Sequence, residues 1–128
     1  MFLIATLHFG LPPDLLQSVC FIESHHNPNA IHRDDGGSDS IGICQIKLST
    51  AKWLGFAGKP KDLLNPEVNI YYAAKYLKHL QHRYNGSVTK MLIAYNRGSA
   101  KKLTRTSYSD NVLNVWRTSE NGRQCSQK

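Results

Sequence analysis

Apolar positions along the chain recur with the 3.6-residue period of helices packed on one side. After Pro12-Pro13-Asp14, the residues Leu15, Leu16, Val19, Cys20 and Ile22 follow at helical spacing. Proline suits a first helical turn, and an early aspartate complements the helix dipole. Asn27-Pro28 predicts the end of this helix, because a residue before proline is pushed out of the α region. A longer stretch carries Ile70, Ala73, Ala74, Leu77, Leu80 and Tyr84 on one side and Lys75, Lys78, His79 and His82 on the other. It starts at Asn65-Pro66, an N-cap followed by proline at the first helical position, and stops at Asn85-Gly86. Ser87 caps a third helix striped by Val88, Met91, Leu92 and Tyr95, with Gly98 placed to end it. Ser107 or Ser109 starts a last helix through Val112, Val115 and Trp116. A short helix over residues 50–54, capped by Ser49 and stopped by Gly55, and a loop over residues 58–64 complete the pattern.

Residues 29–47 break the helical period. Asp34-Asp35-Gly36-Gly37-Ser38-Asp39 is turn chemistry. Short extended pieces around residues 30–32 and 41–46 allow at most a small β-hairpin. The expected architecture is therefore mainly α: a compact helical domain over residues 1–128, with its core at about 11–117 and a fraying polar tail at 118–128. No internal repeat, linker or second domain is visible. A chain of 128 residues can bury one core without a disulfide or metal. The three cysteines, Cys20, Cys44 and Cys125, show no C-x-x-C spacing, which argues against zinc or redox chemistry. Cys20 and Cys44 can pair if their segments meet, but two buried free thiols are the favoured reading.

Apolar residues make up 41% of the chain and charged residues 20%, which is globular rather than disordered composition. The net charge of +7 favours an anionic partner: nucleic acid, an acidic membrane surface or a cell-wall polymer. Only small basic clusters form, at Lys75/Lys78/Arg83 and Lys101/Lys102/Arg105. Aromatics do not alternate with them as on a base-stacking platform, so no nucleic-acid partner is expected. No apolar run is long enough to span a membrane. Residues 1–11 begin with an apolar run, yet have no basic region before it and no small-x-small cleavage site. They make a poor signal peptide, so export needs another route.

Glu23 is the strongest candidate for chemistry. It sits one turn beyond Cys20 and near Leu16, at the edge of an apolar helix face. Partial desolvation there favours the neutral acid, which is the form a general acid for glycoside cleavage needs. On position alone, a surface glutamate in a last helical turn is the simpler reading. His25, His26 and His32 do not make a metal site, since adjacent histidines cannot readily face one ion from a helix. Neither metal nor cofactor is expected.

The motifs around Glu23 change its weight. Glu23-Ser24, Asn27-Pro28-Asn29-Ala30, Gly42-Ile43-Cys44-Gln45-Ile46 and Ala94-Tyr95-Asn96-Arg97-Gly98 occur in that order. Together they resemble the lytic transglycosylases of the soluble-lytic-transglycosylase type, which share the goose-type lysozyme fold. The family pattern is Glu-Ser, a Gly-Leu-Met-Gln-like motif, then Ala-Tyr-Asn-x-Gly; here Cys44 stands in place of the common methionine. Leu11 to Leu16 and Asn65 to Ile70 also look like the starts of the family's catalytic and long helices. The resemblance extends from about Leu11 to Trp116.

It implies a compact lysozyme-like helical domain that cleaves the glycan strands of bacterial peptidoglycan, as a monomer. Glu23 would be the sole catalytic acid/base. Ser24 would fix the helix end, and Gly42 would permit close backbone approach. Ser40 would contact substrate, Gln45 would line the site, Tyr95 would hydrogen-bond Glu23, and Asn96 would bind sugar or fix the backbone. Tyr108 would line the cleft. The implied reaction forms 1,6-anhydro-N-acetylmuramic acid ends. Hydrolysis of the same bond is the alternative, with Asp34, Asp35 or Asp39 positioning water. A non-catalytic peptidoglycan-binding module is the rival outside the enzyme class. Action at the cell wall without a convincing signal peptide suits a phage lysin or virion-associated enzyme, a domain of a longer protein, or delivery by a secretion machine.

Overall fold

In a computed structural model, the stretch after Asn65-Pro66 forms the long helix α4 (Pro66–Arg83), and most other elements pack on it. The structure describes residues 1–33 and 37–126, with side chains as far as Ser119. The Asn65 side chain accepts a hydrogen bond from the Glu67 amide at 2.9 Å, so the expected cap starts the helix. Ile70, Ala73, Ala74, Leu77 and Leu80 are buried along it. They meet Leu15, Leu16 and Val19 of α2 (Leu15–Ser24), Met91 and Leu92 of α5 (Val88–Arg97), and Val112 of α6 (Ser107–Ser126) in one core.

The structure adds a helix that the period did not mark, α1 (Phe2–Phe9), lying against α4. Its sequence is apolar on nearly every side, with Leu3, Ile4 and Leu7 exposed, so no amphipathic stripe announces it. Helix α2 ends at Ser24, before the expected stop at Asn27-Pro28. The Ser24 hydroxyl donates to the Ile43 carbonyl at 2.6 Å and accepts from the Asn27 amide at 3.0 Å, which turns the chain away early. His25 and His26 then both take left-handed backbone angles, φ 55° and 61°.

Residues 30–47 form a three-stranded antiparallel sheet rather than a hairpin: β1 (Ile31–His32), β2 (Ser40–Ile41) and β3 (Ile46–Lys47). The piece expected at 41–46 is split by a turn in which the Gln45 amide donates to the Gly42 carbonyl at 3.0 Å. Ile41 faces Ile31 on one side and Ile46 on the other. Ile41 and Ile46 join Ala51, Phe56 and Leu63 in a second, smaller core. Helix α3 (Leu48–Trp53) starts earlier than expected, with Lys47 rather than Ser49 at its N-cap. A 3₁₀ turn (Pro60–Leu64) replaces part of the expected loop.

Helix α6 spans Ser107–Ser126. Trp116 donates its indole N–H to the Pro13 carbonyl at 2.7 Å, and the Ser119 hydroxyl donates to Asp14 at 2.8 Å, tying α6 to the start of α2. The rest of the tail lies outside the described side chains. Among the described residues no helix is long and apolar enough to cross a membrane.

Cys20 and Cys44 are bonded, contrary to the free-thiol expectation. Packing brings the last turns of α2 against the turn after β2, with the two Cα atoms 4.2 Å apart. That proximity is tertiary and leaves no trace in cysteine spacing. The bond closes a loop with a sequence separation of 24. Loop-closure entropy for a ring of that size is worth roughly 3 kcal/mol. A Cys20→Ser/Cys44→Ser double variant should therefore lose about 3 kcal/mol of unfolding free energy. Urea denaturation checks this, and an unchanged midpoint relative to the oxidised protein would contradict it.

Candidate active site

Glu23 occupies the last turn of α2 and is half-buried. Its Oε2 accepts a hydrogen bond from the Tyr108 hydroxyl at 2.8 Å. The expected partner was Tyr95, and this is a correction. Tyr95 donates instead to the Cys44 carbonyl at 2.8 Å. The difference follows from helix placement. Tyr95, near the end of α5, faces the turn that the disulfide pins to α2, while Tyr108 enters from the first turn of α6. Tyr95 still lies close enough for the Glu23 charge to act on it.

A cavity of about 50 Å³ opens at this carboxylate. Glu23, Ser40, Gln45, Tyr95 and Asn96 line it, so the structure brings five of the predicted residues to one place. Tyr108 is not among its lining residues; it reaches the cavity through Glu23. The sequence reading missed Lys47, Thr50, Tyr76 and Gly98, which line the same cavity. Lys47 and Thr50 follow closely on Gln45, and Tyr76 is a phenol on the buried side of α4. Proximity in sequence and that polar tip were the signals available. Glu23 is the one carboxylate among the described lining residues. Asp39 pairs with Arg33 at 3.5 Å on the surface. Asp34 and Asp35 lie outside the described residues.

Gln45 has a left-handed backbone, φ 51°. Its Nε2 donates to the carbonyls of Ala30 at 2.9 Å and Gly42 at 3.0 Å. Both amide hydrogens are thereby used to hold the turn, which leaves Oε1 as an acceptor for a ligand N–H or O–H. Beneath the turn lies Asn69 of α4, fully buried, which sequence reasoning did not single out. Its Oδ1 accepts from the Cys44 amide at 2.9 Å, while its Nδ2 donates to the carbonyls of Ile41 at 2.6 Å and Leu63 at 2.8 Å. Gly42, at φ 82°, passes so close that an added Cβ would lie 2.6 Å from the Leu63 carbonyl oxygen and would also strike the Asn69 side chain. Only glycine fits there. The histidines after Glu23 turn elsewhere: His26 contacts the Gln17 carbonyl at 3.0 Å, and His25 stacks on Phe21.

Burial holds the Tyr95 and Tyr108 hydroxyls well above the usual phenol range, and the negative charge of Glu23 raises both further. Tyr76 is raised as well, by burial, against the opposing pull of Arg83. Each therefore stays a protonated hydrogen-bond donor through the neutral range.

The sequence pattern described as the transglycosylase SLT domain matches residues 1–114. The chain belongs to that family. It is 36% identical over 95 residues to the peptidoglycan transglycosylase gp16 of Escherichia phage T7, a match covering 72% of this chain and 7% of that protein. The chain thus spans a small part of the length of this relative. Its fold resembles the X-ray structure of an inactive mutant of the lytic transglycosylase Slt from Pseudomonas aeruginosa, with a TM-score of 0.70 and 24% identity over 88% of this chain and 19% of that one. The SLT fold is thus lysozyme-like and mainly helical, with the small sheet carrying one wall of the cavity.

Two outcomes are expected of this SLT domain. Replacing Asn69 by alanine strands two buried carbonyls and one buried amide, at a cost of about 1–3 kcal/mol for each group left unsatisfied. Asn69→Ala should unfold at clearly lower urea concentration, and a midpoint equal to wild type would contradict this role. The second concerns alkali. An unfolded phenol loses its proton near pH 10, roughly its free value, while folded Tyr95 and Tyr108 hold theirs to higher pH. Above that pH the unfolded state binds fewer protons than the folded state. Their contribution to stability is thus complete below about pH 10 and falls as pH rises further. Thermal melts should show Tm declining above pH 10, less steeply in Tyr108→Phe; a parallel decline in both proteins would count against the assignment.

Proposed function

We propose that this domain is a peptidoglycan lytic transglycosylase that cleaves the β-1,4 bond between N-acetylmuramic acid and N-acetylglucosamine, leaving 1,6-anhydro-N-acetylmuramic ends. The observation that carries this reading is Glu23, the one carboxylate among the described lining residues, held by a tyrosine hydroxyl in a cavity that amide and hydroxyl side chains and Lys47 also line. Glycosidases of the common hydrolytic types need two carboxylates across the bond. One acid that gives a proton and then takes one back suits an intramolecular acceptor.

Glu23 gives its proton to the glycosidic oxygen as the bond to C1 of the muramic residue breaks. The acetamido oxygen of the substrate stabilises the positive charge that develops. Glu23, now a carboxylate, removes the proton of the C6 hydroxyl as that oxygen bonds to C1, so no water is consumed. Tyr108 donates to Oε2, which fixes the side-chain rotamer and favours placing the acid proton on the other oxygen. Gln45 and Asn96 supply amide groups for sugar hydroxyls and acetamido groups. The net charge of +7 adds long-range attraction to an anionic wall.

The phage relative bears the name peptidoglycan transglycosylase, which supports both this chemistry and a phage lysin or virion-borne setting with the cell wall as the place of action. The partner is the glycan strand, and the domain acts as a monomer without a cofactor.

A Glu23→Gln variant should still bind purified sacculi and lose at least about 100-fold in turnover, the scale of losing general acid–base catalysis. Mass spectrometry of wild-type digests should show anhydro-muropeptides. Reducing muramic ends in their place would defeat the transglycosylase reading in favour of hydrolysis, and equal turnover by the variant would remove Glu23 from the mechanism.

A further inference from the structure

Next to the cavity at Glu23 lies a larger one of about 330 Å³. Thr50, Tyr76 and Gly98 line both, so the two chambers are neighbours that share a wall. Trp53, His79 and Arg83 line only the second. Its volume falls at the low end of the roughly 300–1,000 Å³ typical of small-molecule sites, which fits one portion of an extended ligand.

Three features mark the second chamber as more than a surface dent. Trp53, the last residue of α3, is 65% exposed. An indole left in water forgoes the burial energy that a core position would return. The ring is held edge-on by His79, with centroids 4.8 Å apart and planes at 76°. Second, Tyr76, His79 and Arg83 recur every three to four residues on α4 and so share one side of the helix. Third, Arg83 has no carboxylate partner among the described residues. Its Nη1 lies 3.5 Å from the Gly98 carbonyl, at the outer limit of a hydrogen bond, and its guanidinium sits 5.2 Å from the Tyr84 ring centroid. Most of its N–H groups remain unspent.

The basic side of α4 is thus not one uniform solvated face. Lys75 donates to the Leu54 carbonyl at 2.7 Å, and Lys78 to the Gln81 side chain at 3.1 Å. His79 and Arg83 are left to the second chamber.

We propose that the second chamber is a subsite for the peptide-bearing part of the strand, in which Trp53 stacks on a sugar ring and Arg83 takes a carboxylate of the attached peptide stem. This rests on the reading of the Glu23 cavity as a glycan-cleaving centre. A strand laid with its scissile bond at Glu23 continues past Thr50 and Tyr76 into the second chamber. An indole face suits the flat apolar side of a pyranose, and a guanidinium fork matches a carboxylate in two-point contact. The same pair of groups would also suit a nucleic-acid base and phosphate, which the test includes as an opposing outcome.

The test is a binding titration on the Glu23→Gln protein, read by tryptophan fluorescence. The ligands are glycan oligomers with intact peptide stems and the same oligomers with every stem carboxylate converted to its amide. Oligomers with free stem carboxylates should bind about tenfold more tightly, the scale of one charge-assisted hydrogen-bonded contact. Adding Arg83→Gln should collapse that preference towards one. Adding Trp53→Phe should abolish the fluorescence change, since the other tryptophan, Trp116, lies outside the second chamber. A preference that survives Arg83→Gln, equal binding of both ligands, or tighter binding of oligothymidylate than of either would overturn the proposal. Failure of the Glu23 reading looks different: the wild-type protein would leave both glycans uncut while the Arg83-dependent preference in binding remained.

Discussion

The buried amide of Asn69 is the contact on which the cleft depends. It satisfies the Cys44 amide and the Ile41 and Leu63 carbonyls at once, joining the turn after β2 and the end of the 3₁₀ turn to the long helix. A buried side chain using both donors and an acceptor in this way replaces water for three backbone groups that no strand or helix could satisfy. It also sets the clearance under Gly42, because a side chain there would collide with the amide and with Leu63. The turn that presents Gln45 is thereby positioned from below. The disulfide to Cys20 holds it from the side, and Tyr95 holds it from α5 through the Cys44 carbonyl. Three separate helices thus converge on a turn of a few residues.

The same convergence shapes the electrostatics. The Glu23 carboxylate accepts a hydrogen bond from one phenol, Tyr108, lies within electrostatic reach of a second, Tyr95, and shares its cavity with Lys47. Phenols at this depth stay neutral, so they orient the carboxylate without neutralising it or repelling a second negative charge.

Beside this centre, the second chamber is lined by Trp53 of α3, by Tyr76, His79 and Arg83 of α4 and by Gly98 at the end of α5. Tyr76 borders both chambers and also packs against both apolar clusters. Cavity walls and core packing are therefore supplied by one helix, whose buried side carries the fold and whose neighbouring side faces the two chambers.

Helix period and capping chemistry were legible in the sequence because they are local. Asn65 and Ser87 cap their helices with their own side chains, and Gly98 ends α5 in a left-handed turn. The motifs around Glu23, Gln45 and Tyr95 were legible too, and five of the residues they indicate line one cavity. Local signals failed where the pattern was uniform or the partner was distant. Helix α1 is apolar on almost all sides, so it has no stripe to read. The strands are two residues each, too short for alternation to register. The exchange of Tyr95 for Tyr108 at Glu23, the Cys20–Cys44 bond, the triple role of Asn69 and the joining of Trp53 to Arg83 all depend on where helices cross. Sequence by itself determined that α2, α4, α5 and α6 are helical, which of their faces are buried, and which carboxylate the motifs single out. Tertiary structure alone decided who touches that carboxylate, because a hydrogen bond between residues 85 apart in sequence is set by packing, not by spacing.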